Sequence, residues 1–343
     1  MQINTTQRLH FFVTIHLIII SVRTYAQEEQ AENHVPEFGV SAITELQVNH
    51  EGKVNSANIL RLNAHLPLSD AISIDAASLS TGMTSKESIC DVAQTFSNID
   101  ADNVPFALTV LGVNWQMAEH HSLFAGIRNM NEDYFITDIT SLFANSTWGI
   151  YPTLSINYLI ANYPMASVGI HYKYEAESVV AQASVYNGMG YNHFTGRENV
   201  FRVCPQSDGV YAIGEAQYRR NGSSYHLGTA MRYADNSVGA APWVYAEQRL
   251  NDQWGLIASY SHAFGSGNEC CDFAGIGAKM SMKNIEFGAF TDYIRIAGSN
   301  EWASELTCKI SLNKYLYLQP SAHLIINSNE THHAYSLRLG FEL

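Results

Sequence analysis

Charge is scarce in this sequence. Asp, Glu, Lys and Arg make up 15% of its 343 residues, and their balance is a net charge of -13. A surplus of that sign excludes nucleic acid as a partner, because binding a phosphate backbone needs a basic face. Long apolar runs are scarce too. The one candidate, Phe11 to Val22, lies behind Arg8 and ahead of Arg23-Thr24-Tyr25-Ala26. It falls short of the roughly 20 residues a spanning helix needs. Residues 1–26 are therefore expected to be a cleaved secretory signal peptide, and 27–36 a polar leader. No later stretch repeats such a run, so the predicted mature chain carries no transmembrane helix.

The signatures of chemistry are also missing. There is no Gly-x-Ser-x-Gly elbow, and no phosphate-binding glycine loop leads into a helix. The histidine pairs His120-His121 and His332-His333 are adjacent, so on strands their side chains point to opposite faces and cannot share a metal. Nothing in the sequence calls for a cofactor. The five cysteines carry no Cys-x-x-Cys spacing, and an odd count leaves at least one unpaired. Cys90, Cys204, Cys270 and Cys271 are expected in loops, where any bridges would cap an outer mouth. Cys308 is expected free, on a strand face shared with Trp302, Leu306 and Ile310.

What the sequence has in abundance is alternation. Leu60, Leu62, Ala64 and Leu66 fall on one side of a run, Arg61, Asn63 and His65 on the other, a period of two. Sixteen such runs follow one another, near 37–49, 55–66, 69–80, 104–116, 121–129, 164–174, 177–187, 208–219, 223–233, 240–250, 253–264, 271–281, 284–296, 300–311, 314–326 and 332–343. Their connections alternate between tight turns, Asn221-Gly222 among them, and longer links. This predicts an all-β fold, a transmembrane antiparallel barrel of about 16 strands occupying 37–343, with short periplasmic turns and longer external loops. A soluble sandwich would need a second continuous apolar face, which the runs do not supply. Trp243 and Trp302 fall at the outer strand ends and Trp115 and Trp254 at the inner ends, positions expected for interfacial girdles.

The longest link, inside 124–174, carries Tyr134, Phe135, Phe143, Trp148, Tyr151, Tyr158 and Tyr163. That is too aromatic for disorder, so it is expected to be ordered and packed. The run Gly126-Ile127-Arg128-Asn129-Met130-Asn131-Glu132-Asp133-Tyr134-Phe135, followed by Ile150-Tyr151-Pro152-Thr153 and Asn162-Tyr163-Pro164, resembles the carbohydrate-selective outer-membrane porins of the OprB type. Ser184-Val185-Tyr186-Asn187-Gly188 and Val200-Phe201-Arg202 add to the likeness. It covers 124–210 and extends more loosely to the end of the chain.

The resemblance implies a channel in the bacterial outer membrane, not an enzyme, that passes sugars and other small polar solutes by passive diffusion. The long loop would fold inward as a constriction. Its expected pore residues are Arg61, Arg128, Asn131, Glu132, Asp133, Tyr134, Phe135, Trp148 and Arg338. Arg61 and Arg338 are expected to form a basic patch at one depth facing the acidic loop, and the aromatics to stack on a sugar or pin the loop. The last run, Tyr335, Leu337, Leu339, Phe341 and Leu343, resembles the terminal strand by which the outer-membrane assembly machinery takes up such barrels, with Leu343 in place of the usual aromatic. Outer-membrane lipid is the other expected partner. The sequence leaves open monomer or homotrimer, and also a general diffusion porin, an outer-membrane enzyme or a surface adhesin.

Overall fold

A computed structural model of the chain describes residues 35–85, 87–265, 267–328 and 330–343. The expected signal peptide and most of the leader lie outside these residues. The strands are β1 (Glu37–Asn49), β2 (Val54–Pro67), β3 (Ile72–Met83), β4 (Ala107–Ala118), β5 (His121–Arg128), β6 (Ser167–Glu175), β7 (Val179–Asn187) and β8 (Val210–Arg220). They continue as β9 (Ser223–Ala234), β10 (Ser237–Arg249), β11 (Trp254–His262), β12 (Cys270–Met282), β13 (Ile285–Ile296), β14 (Ser299–Ser311), β15 (Leu316–Asn327) and β16 (Thr331–Glu342). Each pairs antiparallel with its sequence neighbours, and β1 pairs with β16 to close the barrel. Two one-turn helices, α1 (Pro152–Ser155) and α2 (Pro205–Asp208), sit in connecting loops.

Closure is the physical reason that alternation is so regular. In lipid every backbone amide needs a partner, and a closed ladder supplies one without leaving an edge. Along β16, Ala334, Ser336 and Arg338 are buried toward the interior while Tyr335, Leu337 and Leu339 are exposed on the outside. Outward Leu227, Leu306, Ile170 and Val185 continue that apolar band around the wall. Asn221 and Gly222 join β8 to β9 with φ of 52° and 76°, the two positive values a tight hairpin turn requires. All sixteen strands lie within a few residues of the expected runs; β3 spans Ile72–Met83 where 69–80 was expected, because Leu68 to Ala71 form the turn, closed by Ile72 N donating to Ser69 O.

Two long loops leave the outer end of the barrel and enter it. The loop 129–166 was expected there; the loop 84–106 was not. Together with the inner wall they form one buried apolar cluster containing Phe96, Phe135, Phe143, Trp148, Tyr151 and Leu154 from the loops, and Tyr211, Trp243, Phe273 and Phe290 from strands. Phe143 stands edge-on to Phe290 at 4.8 Å, and Tyr151 lies 4.6 Å from Phe273. Each large side chain so buried contributes roughly 2 kcal/mol to holding the loop in place. The wall makes room for them with glycine: a Cβ on Gly275 would meet Trp148 at 2.7 Å, and one on Gly288 would meet Phe143 at 2.8 Å.

This packing corrects the tryptophan assignment. Trp302, Trp115 and Trp254 are exposed on the outer face as expected, but Trp243 points inward and is 2% exposed. Cysteine needs a correction as well. Cys270 and Cys271 begin β12 rather than lying in a loop, and Cys90 is buried with the plug. All five cysteines are free, and Cys308, paired in register with outward Phe287, faces the lipid side as expected.

Candidate functional site: a paired-charge constriction

The candidate site is built where β5 ends. Asn129 terminates the strand and caps a single 3-10 turn, Met130–Glu132; its side chain accepts from Asn131 N at 2.8 Å and donates to Met165 O at 2.6 Å. The returning end of the loop is stitched to the same turn. Met130 N donates to Ala161 O at 2.7 Å, and Tyr163 N donates to the Asn131 side chain at 2.9 Å. A turn fixed at both ends projects its two acids into the lumen.

Each acid meets an arginine. Glu132 takes a two-pronged contact from Arg61 on β2, both bonds 2.7 Å long. Asp133 takes the same fork from Arg128, both bonds 2.6 Å. Such parallel pairs fix the plane of both groups as well as their distance. The Arg128 guanidinium also lies 4.5 Å over the ring of Phe124, and Asp133 is held further by His171 at 3.5 Å and by Gln182, which donates to its backbone oxygen at 2.8 Å. The Arg61 side chain is 32% exposed and that of Glu132 20%, so this pair still faces open space.

Beside the pairs, toward the end with the short turns, lies a cavity of about 410 Å³ whose polar lining includes Arg61, Asn63, His65, Asp75, Arg128 and Glu132. His65 and Asp75 are cross-strand partners and their side chains meet at 2.5 Å. The polar part of the lining therefore sets hydrogen-bond donors beside acceptors, and Phe38, Ala64, Ala76, Ala77 and Val110 supply its apolar part. Within each forked pair, charges of opposite sign sit side by side.

Several expected pore residues are elsewhere. Tyr134 is 1% exposed and hydrogen-bonds the Ser184 hydroxyl at 2.8 Å; Phe135, 4% exposed, packs 4.9 Å from Trp243; Trp148, 1% exposed, is enclosed by Phe143, Phe273 and Phe290. These three rings pin the loop and leave no face for a solute. Phe135 does so at φ 63°, a backbone conformation a bulky residue adopts only when its surroundings hold it there. Arg338 is sealed beneath both loops. It aligns with Glu45 on β1 whereas Arg61 aligns with Ser41, four residues away or about 13 Å along the strand, so the expected basic patch at one depth does not form. Arg61, Arg128, Asn131, Glu132 and Asp133 are brought together. Asp75 was missed, although its place opposite His65 follows from the alternation once the register is known.

No protein-family model and no curated protein sequence matches the chain. Solved structures do. OprB of Pseudomonas putida, in its high-pH structure, superposes with a TM-score of 0.77 at 13% identity over 90% of this chain and 94% of that one. An anion-selective porin from Comamonas acidovorans gives 0.62 at 10% identity over 91% and 100%, and OmpT, an outer membrane protein of Vibrio cholerae, 0.61 at 12% over 92% and 99%. At such identities the likeness is one of architecture, carried over nine-tenths of the chain: this chain has the fold of an OprB-type outer-membrane porin.

Proposed function

We propose that the protein is a channel of the bacterial outer membrane for the passive diffusion of carbohydrates and other small polar, uncharged solutes. The observation that supports this reading is the pair of forked arginine–carboxylate contacts inside the barrel, Arg61 with Glu132 and Arg128 with Asp133. A hydroxyl group both donates and accepts, so it can exchange its water partners for the carboxylate on one side and the guanidinium on the other. A small ion finds an adjacent charge of its own sign and gains little. The cavity beside the pairs, about 410 Å³, falls in the size range of small-molecule sites.

The experiment is conductance in a planar bilayer with sugar added. Block by millimolar sugar supports a sugar-selective channel, and conductance that sugar leaves unchanged assigns a general diffusion porin. A correctly folded barrel with no conductance would refute the channel reading and favour an enzyme or adhesin on the same scaffold.

A further inference from the structure

The two inward loops meet each other inside the barrel. Asn98 N donates to Ala144 O at 2.6 Å and Ser146 N to Thr95 O at 3.0 Å, so 95–98 and 144–146 form a short two-rung ladder. The wall meets this ladder with charge. Glu305 on β14 accepts from Ala144 N and Asn145 N, both at 3.0 Å, and Glu301 on the same strand accepts from Ala93 N at 3.1 Å and Gln94 N at 2.6 Å.

Arg338 on β16 supplies the complementary contact. Its Nη2 reaches Asn98 Oδ1 at 2.8 Å, Ser97 Oγ at 3.3 Å and Ala144 O at 3.4 Å, so one nitrogen touches both loops. Its Nε is held by the carboxylate of Glu45, the residue opposite it on β1. Arg338 is 4% exposed and Glu45 is 0% exposed. An ammonium group could not divide its donors between a carboxylate on one strand and a carbonyl and an amide on two loops with the same planarity.

We propose that Arg338 is the positioning residue of the solute path: it sets the aperture by fixing both loops at once, although it touches no solute. The proposal rests on the channel reading. Glu45 and Arg338 straddle the β1–β16 pairing, the seam at which the two ends of the chain close the barrel. The carboxylates of β14 hold the junction from one side, the Arg338 contact is braced by Glu45 only after closure, and the aperture at Arg61 is shaped by a contact about 13 Å away along the wall.

The test compares the full chain with R338Q, R338K and the double variant S97A/N98A, which leaves the Glu45–Arg338 pair intact. Heat-modifiable migration in detergent gels reports whether each barrel has closed. R338Q is expected to close, to raise single-channel conductance about twofold with added flicker, and to need more sugar for half-block. Amide exchange over 95–98 and 144–146 is expected to quicken about tenfold. R338K, which keeps the charge, is expected to restore part of each effect, and S97A/N98A to reproduce the exchange and conductance changes even if R338Q does not close. A closed R338Q or S97A/N98A with wild-type conductance, block and exchange overturns the proposal. A wild-type protein that closes but does not conduct overturns the channel reading, and the exchange comparison then decides the positioning claim by itself.

Discussion

Arg128 sits at the last residue of β5 and is committed to one partner, Asp133, whose side chain is only 7% exposed. Removing the guanidinium leaves that carboxylate with the His171 ring at 3.5 Å as its remaining side-chain contact and leaves a fixed negative charge without its counter-charge. Arg128→Ala is therefore expected to shift ion preference toward cations, and Glu132→Gln, which strands Arg61 instead, to shift it toward anions. Each change in permeability ratio should be about two- to fivefold. Reversal potentials in a salt gradient measure both, and equal shifts of the same sign would show that the two pairs do not border the path. At the same scale, Cys308 on the lipid face should react with an apolar maleimide in liposomes and resist a membrane-impermeant one. Modification by the impermeant reagent alone would place β14 the wrong way round.

At the scale of elements, the loop 129–166 and the wall are fitted to each other, while the backbone ladder of the barrel does not depend on the loop. Deleting Ser141 to Trp148 is expected to let the barrel assemble, lower its thermal midpoint, raise conductance and weaken discrimination among sugars in a liposome swelling assay. Unchanged conductance would place that segment outside the path. A finer perturbation is Gly275→Ala, which sets a methyl 2.7 Å from the Trp148 ring and should destabilise the loop by about 1–3 kcal/mol without opening the ladder. These elements also show what the sequence could tell. All sixteen strands lie within a few residues of where alternation put them, because lipid outside and water or plug inside enforce a period of two. Trp243 was assigned to the wrong face because β10 packs its inner side against loop aromatics, which makes that side as apolar as the outer one. Arg338 was placed on the correct face, but its burial came from the loop 84–106. That loop's Ile89, Phe96 and Ile99 are spaced without a period and so gave no sign of turning inward. Partners brought in by a loop have no register from which to be read.

For the whole molecule, the plug is lopsided. Its apolar cluster draws on strands β7 to β16, and the constriction is left against β2, β5 and β6. One loop acid couples this arrangement to pH. Burial pushes the Asp100 carboxyl up to about 6; the charge of Glu45 adds to that, while the Gln47 amide at 2.6 Å and Arg338 oppose it. A raised value means that the folded state favours the protonated acid, so its contribution to stability is fully present below about pH 4 and is lost as pH rises through about 6. Chemical denaturation at pH 4 and pH 7 should show this loss, and Asp100→Asn should remove on the order of 1 kcal/mol of the difference. An identical pH slope in the variant would mean that another group carries it.

The short turn Met130–Glu132, stitched to the returning loop at Ala161 and Tyr163, separates two inheritances in one chain. The staves answer to the membrane and must keep their number and alternation, whereas the iris mounted inside them answers only to what passes through. Substitutions in that turn and at its two arginines would leave the ladder of the staves intact, and structures with about one residue in eight in common with this chain do share its frame.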